Sequence, residues 1–68
     1  MKICRIEVEK DGVIYAAEYF CEDNEISVIG NGAIEIIFMN GMREAHAAKT
    51  GLRNLIRQGK AFTKNELE

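Results

Sequence analysis

The chain of 68 residues contains no proline, no tryptophan and only two cysteines. A secreted domain of this size held together by disulfides would normally carry four or more cysteines, so Cys4 and Cys21 are expected to be reduced thiols. No Cys-x-x-Cys pair occurs, and the sequence therefore predicts no zinc site. No other metal and no cofactor is expected either.

Long apolar runs are also missing. The apolar run at residues 36–39 is far shorter than the roughly 18 residues that span a membrane. An acidic residue appears as early as Glu7, which is not typical of a secretory signal peptide, and the expected location is the cytoplasm. The apolar fraction of 47% and the net charge of only −2 exclude an intrinsically disordered segment.

The length leaves room for one domain, which we place at residues 1–66. Leu67 and Glu68 match the remnant of a cloning site, and no function is assigned to them. A chain this short buries only about 60% of the surface that its unfolded form exposes. Its core is therefore small, and a further source of stability is expected.

Charge is distributed unevenly along the chain. Residues 1–40 carry three basic and eight acidic side chains, a net charge of −5, whereas residues 41–68 carry six basic and three acidic ones, a net charge of +3. The first part of the chain is acidic and the last part is basic.

Turn signals divide the first forty residues into four short segments. Asp11-Gly12 predicts a two-residue hairpin loop that pairs residues whose numbers add up to 23. This register places Cys4, Ile6 and Val8 on one apolar face with the side chains that lie opposite them. The other face is largely charged, and a favourable cross-strand pair is formed there by arginine and glutamate. The apolar residues opposite the first segment are Tyr15, Ala17 and Tyr19, and the charged pair is Arg5 and Glu18.

The next two turns continue this face. Asp23-Asn24 sets Cys21 beside Ile26. At residues 30–32, a two-residue Asn-Gly loop would place Glu35 among apolar side chains, so a three-residue loop with Gly32 in the left-handed conformation is favoured. That loop pairs residues whose numbers add up to 62 and directs Ile34, Ile36 and Phe38 to the apolar face.

The spacing of apolar residues changes to about 3.6 after residue 42, which predicts one amphipathic helix of roughly four turns. Asn40 is the expected N-cap and Gly59 the expected C-terminal glycine. Gly51 indicates either a close approach to a strand or a kink. The capping-box pattern at Thr63 and Glu66 is interpreted as chance, because almost no chain follows it. The apolar stripe consists of Met42, Ala45, Ala48, Leu52, Leu55 and Ile56.

These patterns predict an α+β fold, a four-stranded antiparallel meander in the order 1-2-3-4 with one C-terminal amphipathic helix packed on one face. The helix is expected on the side of Cys4, Ile6 and Val8. A helix-turn-helix built around Ala47 and Gly51 is an alternative for the C-terminal part, but its second helix would be very short.

The face of the sheet away from the helix should be rich in apolar side chains. More apolar surface than a small monomer normally exposes indicates a partner, most simply a second copy of the chain. The open edges of the first and last strands offer a further contact. We therefore predict a non-enzymatic protein-interaction module that self-associates through the outer face or a strand edge. The predicted interface residues are Ile3, Ile14, Phe20, Ile29, Ile37 and Met39, with Ala33 on the same face.

A basic sector runs along the predicted helix beside its apolar stripe. Lysine and arginine gain affinity for nucleic acids by releasing counterions, so a nucleic-acid-binding regulator is the alternative function. The acidic composition of the whole domain favours the ordinary interpretation of this sector as a solvated face. The residues of this sector are Arg43, His46, Lys49, Arg53, Arg57 and Lys60.

No enzymatic activity is predicted. His46, the one histidine, has no ligand or orienting carboxylate three or four residues away on the helix. The acidic turn at residues 22–25 has the spacing of a tight turn, not that of a cation-binding loop. No nucleophile, base and orienting group converge, and no small-molecule substrate or membrane contact is indicated.

Overall fold

The computed structural model describes residues 2–68 and confirms the predicted α+β meander. Four antiparallel strands follow one another in the order β1-β2-β3-β4, and a helix, α1, packs on one face of their sheet. A short strand, β5, and a one-turn helix, α2, complete the chain. The bounds are β1 Ile3–Lys10, β2 Val13–Glu22, β3 Glu25–Ile29, β4 Ile34–Phe38, α1 Glu44–Arg57, β5 Phe62–Thr63 and α2 Lys64–Leu67.

The first two registers are confirmed. Ile6 lies opposite Ala17, as the Asp11-Gly12 loop predicts, and Cys21 lies opposite Ile26. Asp11 and Gly12 both have positive φ angles, +52° and +80°. This is the backbone conformation of the tight hairpin turn that matches the twist of its two strands.

The register of β4 is one residue away from the favoured one, so that prediction is wrong. Val28 faces Glu35, and the Gly30 N–H donates to the Ala33 carbonyl at 2.7 Å across a two-residue loop. A shift of one residue turns every side chain of a strand to the other face. Ile37 and Met39, with Ala33, therefore pack against the core, whereas the side chains expected inside are exposed. The exposed side chains are Ile34, Ile36 and Phe38.

The structure accommodates Glu35 on the inner face because β4 is an edge strand beside polar residues of α1. The Glu35 carboxylate accepts hydrogen bonds from Asn54 Nδ2 at 3.2 Å and from Gln58 Nε2 at 3.0 Å. A half-buried charge with two such partners avoids most of the penalty for burying a charge alone. The hydrogen bonds from α1 thus largely remove the cost of placing the Glu35 charge on the inner face, which is the cost that makes this register unfavourable in the sequence alone.

Helix α1 is one continuous helix, so the helix-turn-helix alternative is wrong. It begins at Glu44 with Arg43 in the N-cap position and no side-chain cap, and Asn40 lies in the preceding turn with a φ of +46°. The prediction of Asn40 as N-cap is therefore wrong. The C-terminal end is confirmed at Gly59, whose N–H donates to the Ile56 carbonyl, and the Lys60 N–H donates to the Leu55 carbonyl. These two bonds form the Schellman motif that commonly ends a helix at glycine.

The core lies between α1 and the face of the sheet that carries Cys4, Ile6 and Val8, as predicted. Gly51 allows close contact, since a Cβ atom at this position would lie 2.6 Å from Val28 Cγ2. Neither helix found in residues 2–68 has the length and apolar character needed to cross a membrane. The fully buried side chains at the centre are Ile26, Val28, Leu52 and Leu55.

The last seven residues cross to the outer face of the sheet. Strand β5 pairs with Tyr15 and Ala16 of β2. It lies on the same side of β2 as β3, which pairs with the later residues of β2. The capping box at Thr63 and Glu66 is formed and begins α2, so its interpretation as chance is wrong. Arg5, on the outer face, donates to Glu68 at 3.2 Å. The C-terminal segment therefore covers one end of the outer face.

Candidate functional site

An apolar strip crosses the outer face at the end of the sheet away from α2. The strand registers place its members in adjacent rows: Ile3 lies opposite Phe20, and Ile29 lies opposite Ile34. Ser27 separates Phe20 from the next apolar side chain of its row. We call this surface the outer apolar strip; it consists of Ile3, Phe20, Ile29, Ile34, Ile36 and Phe38.

Most of the strip is open to solvent. Ile34, Ile36 and Phe38 are each more than half exposed, at 58%, 55% and 57%, and Ile3 is 53% exposed. Phe20 and Ile29 are half-buried between them. Single exposed apolar residues are normal, but a contiguous group of this kind on one face is typical of an interaction surface.

The predicted interface residues divide into three groups. Ile3, Phe20 and Ile29 belong to the outer apolar strip. Ile14 is on the same face but at its other end, 42% exposed and beside Thr63 and Lys64. Ile37 and Met39 face the core, so their assignment to the outer face is wrong.

Sequence reasoning misses the three strip residues of β4, which are Ile34, Ile36 and Phe38. The signal that could have found them is the Asn31-Gly32 dipeptide, a strong two-residue loop signal that fixes the observed register. In the sequence alone the charge of Glu35 outweighs this signal, because its hydrogen-bond partners lie about twenty residues farther along the chain.

Acidic side chains border the strip. Glu18, Glu22 and Glu25 share the outer face with it by strand register, and Arg5 lies opposite Glu18. Arg5 is already engaged by Glu68 at 3.2 Å and by Glu7 at 3.6 Å. The most exposed apolar side chains of the outer face thus lie on the edge strands β1 and β4, and these acidic side chains lie on the central strands β2 and β3 beside them.

All residues of the predicted basic sector are exposed. Lys60 lies beyond the end of α1, where its carbonyl accepts a hydrogen bond from the Asn31 N–H of the β3–β4 loop, so its predicted place on the helix is wrong. Among residues 2–68, every ion pair within 4.0 Å involves Arg5 or Lys64, and none involves a basic residue of this sector. Arg57 donates a hydrogen bond to Asn54 on its own helix. We call this surface the basic stripe; it consists of Arg43, His46, Lys49, Arg53, Arg57 and Lys60.

A groove of about 260 Å³ lies where the basic stripe meets β1. Val8 and Ile56 supply its apolar lining, and Arg53, Arg57 and Lys10 supply positive charge, with Glu9 as the one carboxylate in the lining. Arg53 and Arg57 are therefore the basic-stripe residues that lie beside β1. Asn54 and Gln58, on the neighbouring part of the helix surface, contact β4.

Tyr19 holds the beginning of α1 against the sheet. Its side chain is buried, and its hydroxyl donates to Glu44 Oε2 at 2.9 Å. Burial raises the pKa of Tyr19 to about 12, with further contributions from the hydrogen bond and charge of Glu44 and from Cys4. The hydroxyl thus stays protonated near neutral pH and acts as a structural donor. Cys4 and Cys21 are half-buried free thiols packed against the core.

The sequence was compared with models of protein families and with curated proteins, and the structure with solved structures. None of the three comparisons finds a match.

Proposed function

We propose that this protein is a self-associating module whose outer apolar strip packs against the same strip of a second copy. The observation that carries the proposal is the placement of six large apolar side chains on the outer face, four of them more than half exposed. Water that contacts these side chains is released when a second face covers them, and this release drives association.

The size of the face supports a second copy as the partner. The molecule measures 31 × 21 × 17 Å between Cα atoms, so its broad face is about 31 by 21 Å. Stable interfaces bury about 800 Å² on each partner, so an interface of that size would take up the whole broad face and not the outer apolar strip alone. Two sheets can pack face to face at about 10 Å, and most soluble oligomers are symmetric assemblies of identical chains.

Association would also add buried apolar surface to a chain whose own core is small. Among residues 2–68, ten hydrophobic residues are buried, four of them alanines. A partner that binds only the folded state stabilises it by mass action. Burial of the outer apolar strip would thus add a second apolar layer to a domain whose own core is small.

Ile36→Glu tests this proposal directly. The substitution places a charge in the middle of the strip on an edge strand, where the isolated domain leaves the side chain 55% exposed. We expect the apparent mass in sedimentation equilibrium to fall by half and the dissociation constant to rise at least 100-fold, as at central interface positions.

Val13→Glu is the matched control. Val13 is 39% exposed and lies on the other face of the sheet, so the same charge is introduced away from the strip. The mass of this variant should equal that of the unmodified chain. An unchanged mass for Ile36→Glu, with circular dichroism that shows a folded domain, would contradict the proposal.

Binding of a nucleic-acid backbone by the basic stripe is a second candidate function. The observation that favours it is the exposure of all six stripe residues without a carboxylate within 4.0 Å in the described part of the chain. Cations that are not already paired are free to displace the counterions of a phosphate backbone. The stripe continues past the helix to Lys10 in the adjoining groove.

The double variant Arg53→Glu with Arg57→Glu tests this second function. We expect it to abolish a salt-sensitive mobility shift of mixed-sequence RNA or DNA and to leave the fold intact, because both side chains are exposed. The control is Lys2→Glu with Lys64→Glu, which changes the net charge equally at positions outside α1. An equal loss of binding in both double variants would mean that only net charge matters, and no binding by the unmodified chain at low salt would exclude this function.

A further inference from the structure

Strand β1 has a free edge along its entire length. It pairs with β2 on one side over eight consecutive residues without a bulge, and no strand of residues 2–68 pairs with its other side. It also contains no proline or glycine. Natural proteins protect open edges with such features or with charged side chains, and four of the eight residues of β1 are charged, so a partner strand must present complementary charges.

We infer that β1 pairs antiparallel with β1 of a second copy about a two-fold axis at Ile6. Residues directly opposite each other in antiparallel strands lie on the same face of the sheet. In β1 the odd-numbered residues lie on the outer face and the even-numbered residues on the inner face. Two copies of β1 can therefore continue one sheet only if odd-numbered residues pair with odd-numbered ones and even-numbered residues with even-numbered ones. The sums of the paired residue numbers must then be even; sums of 12 and 14 each pair seven residues of β1, and sums of 10 and 16 each pair five.

The side chains select one of these registers. A sum of 12 places Arg5, which also contacts Glu7 and Glu68 of its own chain, opposite the second copy's glutamate at position 7 on the outer face, twice by symmetry. On the inner face it places Ile6 opposite its own copy and Cys4 opposite valine. A sum of 14 would also give Arg5 a glutamate partner, at position 9, but it would set Glu7 against its own copy and Cys4 against lysine. A sum of 10 would set Arg5 against its own copy, and a sum of 16 would set Glu7 against the glutamate at position 9. Like charges directly opposite each other are unfavourable, whereas opposite charges are favourable.

Pairing in this register has an electrostatic cost. Lys2 would lie opposite the second copy's lysine at position 10 at both ends of the ladder. Arg53 and Arg57 line a groove with residues 8–10 of β1, so these cations of the two copies would also approach each other. Residues 8–10 are separated from their symmetry mates by roughly 14 Å or more along the strands at about 3.4 Å per residue. That separation exceeds the screening length of about 10 Å at 0.1 M salt, so this repulsion is largely screened.

Combined with the proposed function, on which this step rests, the edge contact gives an assembly with two kinds of interface. Two eight-stranded sheets, each formed by β1 pairing, would pack their outer apolar strips together with the helices on the outside. When the two-fold axes of the two contacts cross at right angles, the assembly closes as a tetramer of D2 symmetry. Ile36→Glu would then leave a dimer joined only at β1.

Ile6→Cys in a Cys4→Ser, Cys21→Ser background tests the register. Opposed residues in antiparallel strands have Cα atoms about 4.5 or 5.5 Å apart, within the range that a disulfide spans. Mild oxidation should give a disulfide-linked dimer in high yield. Glu9→Cys in the same background is the control, because residue 9 would face residue 3 and should cross-link several-fold less. Equal yields for the two variants would overturn the inference.

Two further variants separate the edge contact from the face contact. Cross-linking of the Ile6→Cys variant should persist when Ile36→Glu is added, and its loss would mean that the edges do not pair on their own. Arg5→Glu should lower the yield several-fold, and Arg5→Glu with Glu7→Arg should restore it. Failure of this charge exchange to restore cross-linking would contradict the register and leave the outer-face proposal unaffected.

Discussion

Leu52→Ala is expected to lower the free energy of unfolding by about 3 kcal/mol, the middle of the range for a buried leucine. Leu52 is fully buried and, with Leu55, is one of the two large residues through which α1 fills the core. A domain of this length has a total stability of roughly 3–10 kcal/mol. The loss of one leucine side chain is therefore a large part of the whole, and a substantial fraction of the variant should be unfolded in buffer.

Urea denaturation followed by circular dichroism measures this effect. All variants must be compared at one protein concentration, because the proposed self-association would add to the apparent stability by mass action. Val13→Ala, which removes an exposed aliphatic side chain, should cost less than about 1 kcal/mol. Equal losses for Leu52→Ala and Val13→Ala would mean that α1 does not form the core described here.

Gly30→Ala should cost about 3 kcal/mol, at the upper end of the range for overpacking. A Cβ atom at residue 30 would lie 2.5 Å from the Lys60 carbonyl oxygen and 2.8 Å from Leu55 Cδ2. The carbonyl cannot easily move away, because it accepts a hydrogen bond from the Asn31 N–H at 2.8 Å. The methyl group would thus separate the β3–β4 loop from the end of α1.

Gly32→Asn in the same loop is the control for Gly30→Ala. Gly32 has a φ of +75°, a Cβ atom added there would have no neighbour within 4 Å, and asparagine tolerates this left-handed conformation. Its cost in the same urea denaturation should stay below about 1 kcal/mol, well under the roughly 1–2 kcal/mol that other side chains incur there. A stability of Gly30→Ala equal to that of Gly32→Asn would show that the loop and helix are not in contact.

The parts of the fold that the sequence predicts are those decided by neighbouring residues. The turn at Asp11 and Gly12 fixes the register of β1 with β2 locally, and the helix ends at Gly59 through bonds within its last turn. The side of the sheet covered by α1 also follows from the alternation of apolar residues in β1. Each of these features depends on contacts between residues close in sequence or on a simple period.

The features that the sequence does not predict depend on distant partners. Glu35 occupies the inner face because Asn54 and Gln58 of α1 bind it, and no local rule contains that information. The C-terminal segment is a second case. Its capping box at Thr63 begins α2, and this short helix is held in place by packing on β2 and by the hydrogen bond between Glu68 and Arg5.

The candidate site is consequently predicted in part. Ile3, Phe20 and Ile29 lie on the strands whose registers are predicted correctly, and they belong to the outer apolar strip. The β4 side of the strip is assigned to the wrong face because its predicted register is displaced by one residue. The proposed mode of action, burial of an apolar sheet face, stays the same, but its most exposed residues are those of β4.

The measurement that tests the central claim most directly is the mass of the unmodified chain in sedimentation equilibrium over a wide range of concentrations. We predict a concentration-dependent mass that rises to twice or four times the 7.7 kDa of a single chain. A mass of one chain at every concentration, up to the millimolar range, would contradict self-association through the outer apolar strip.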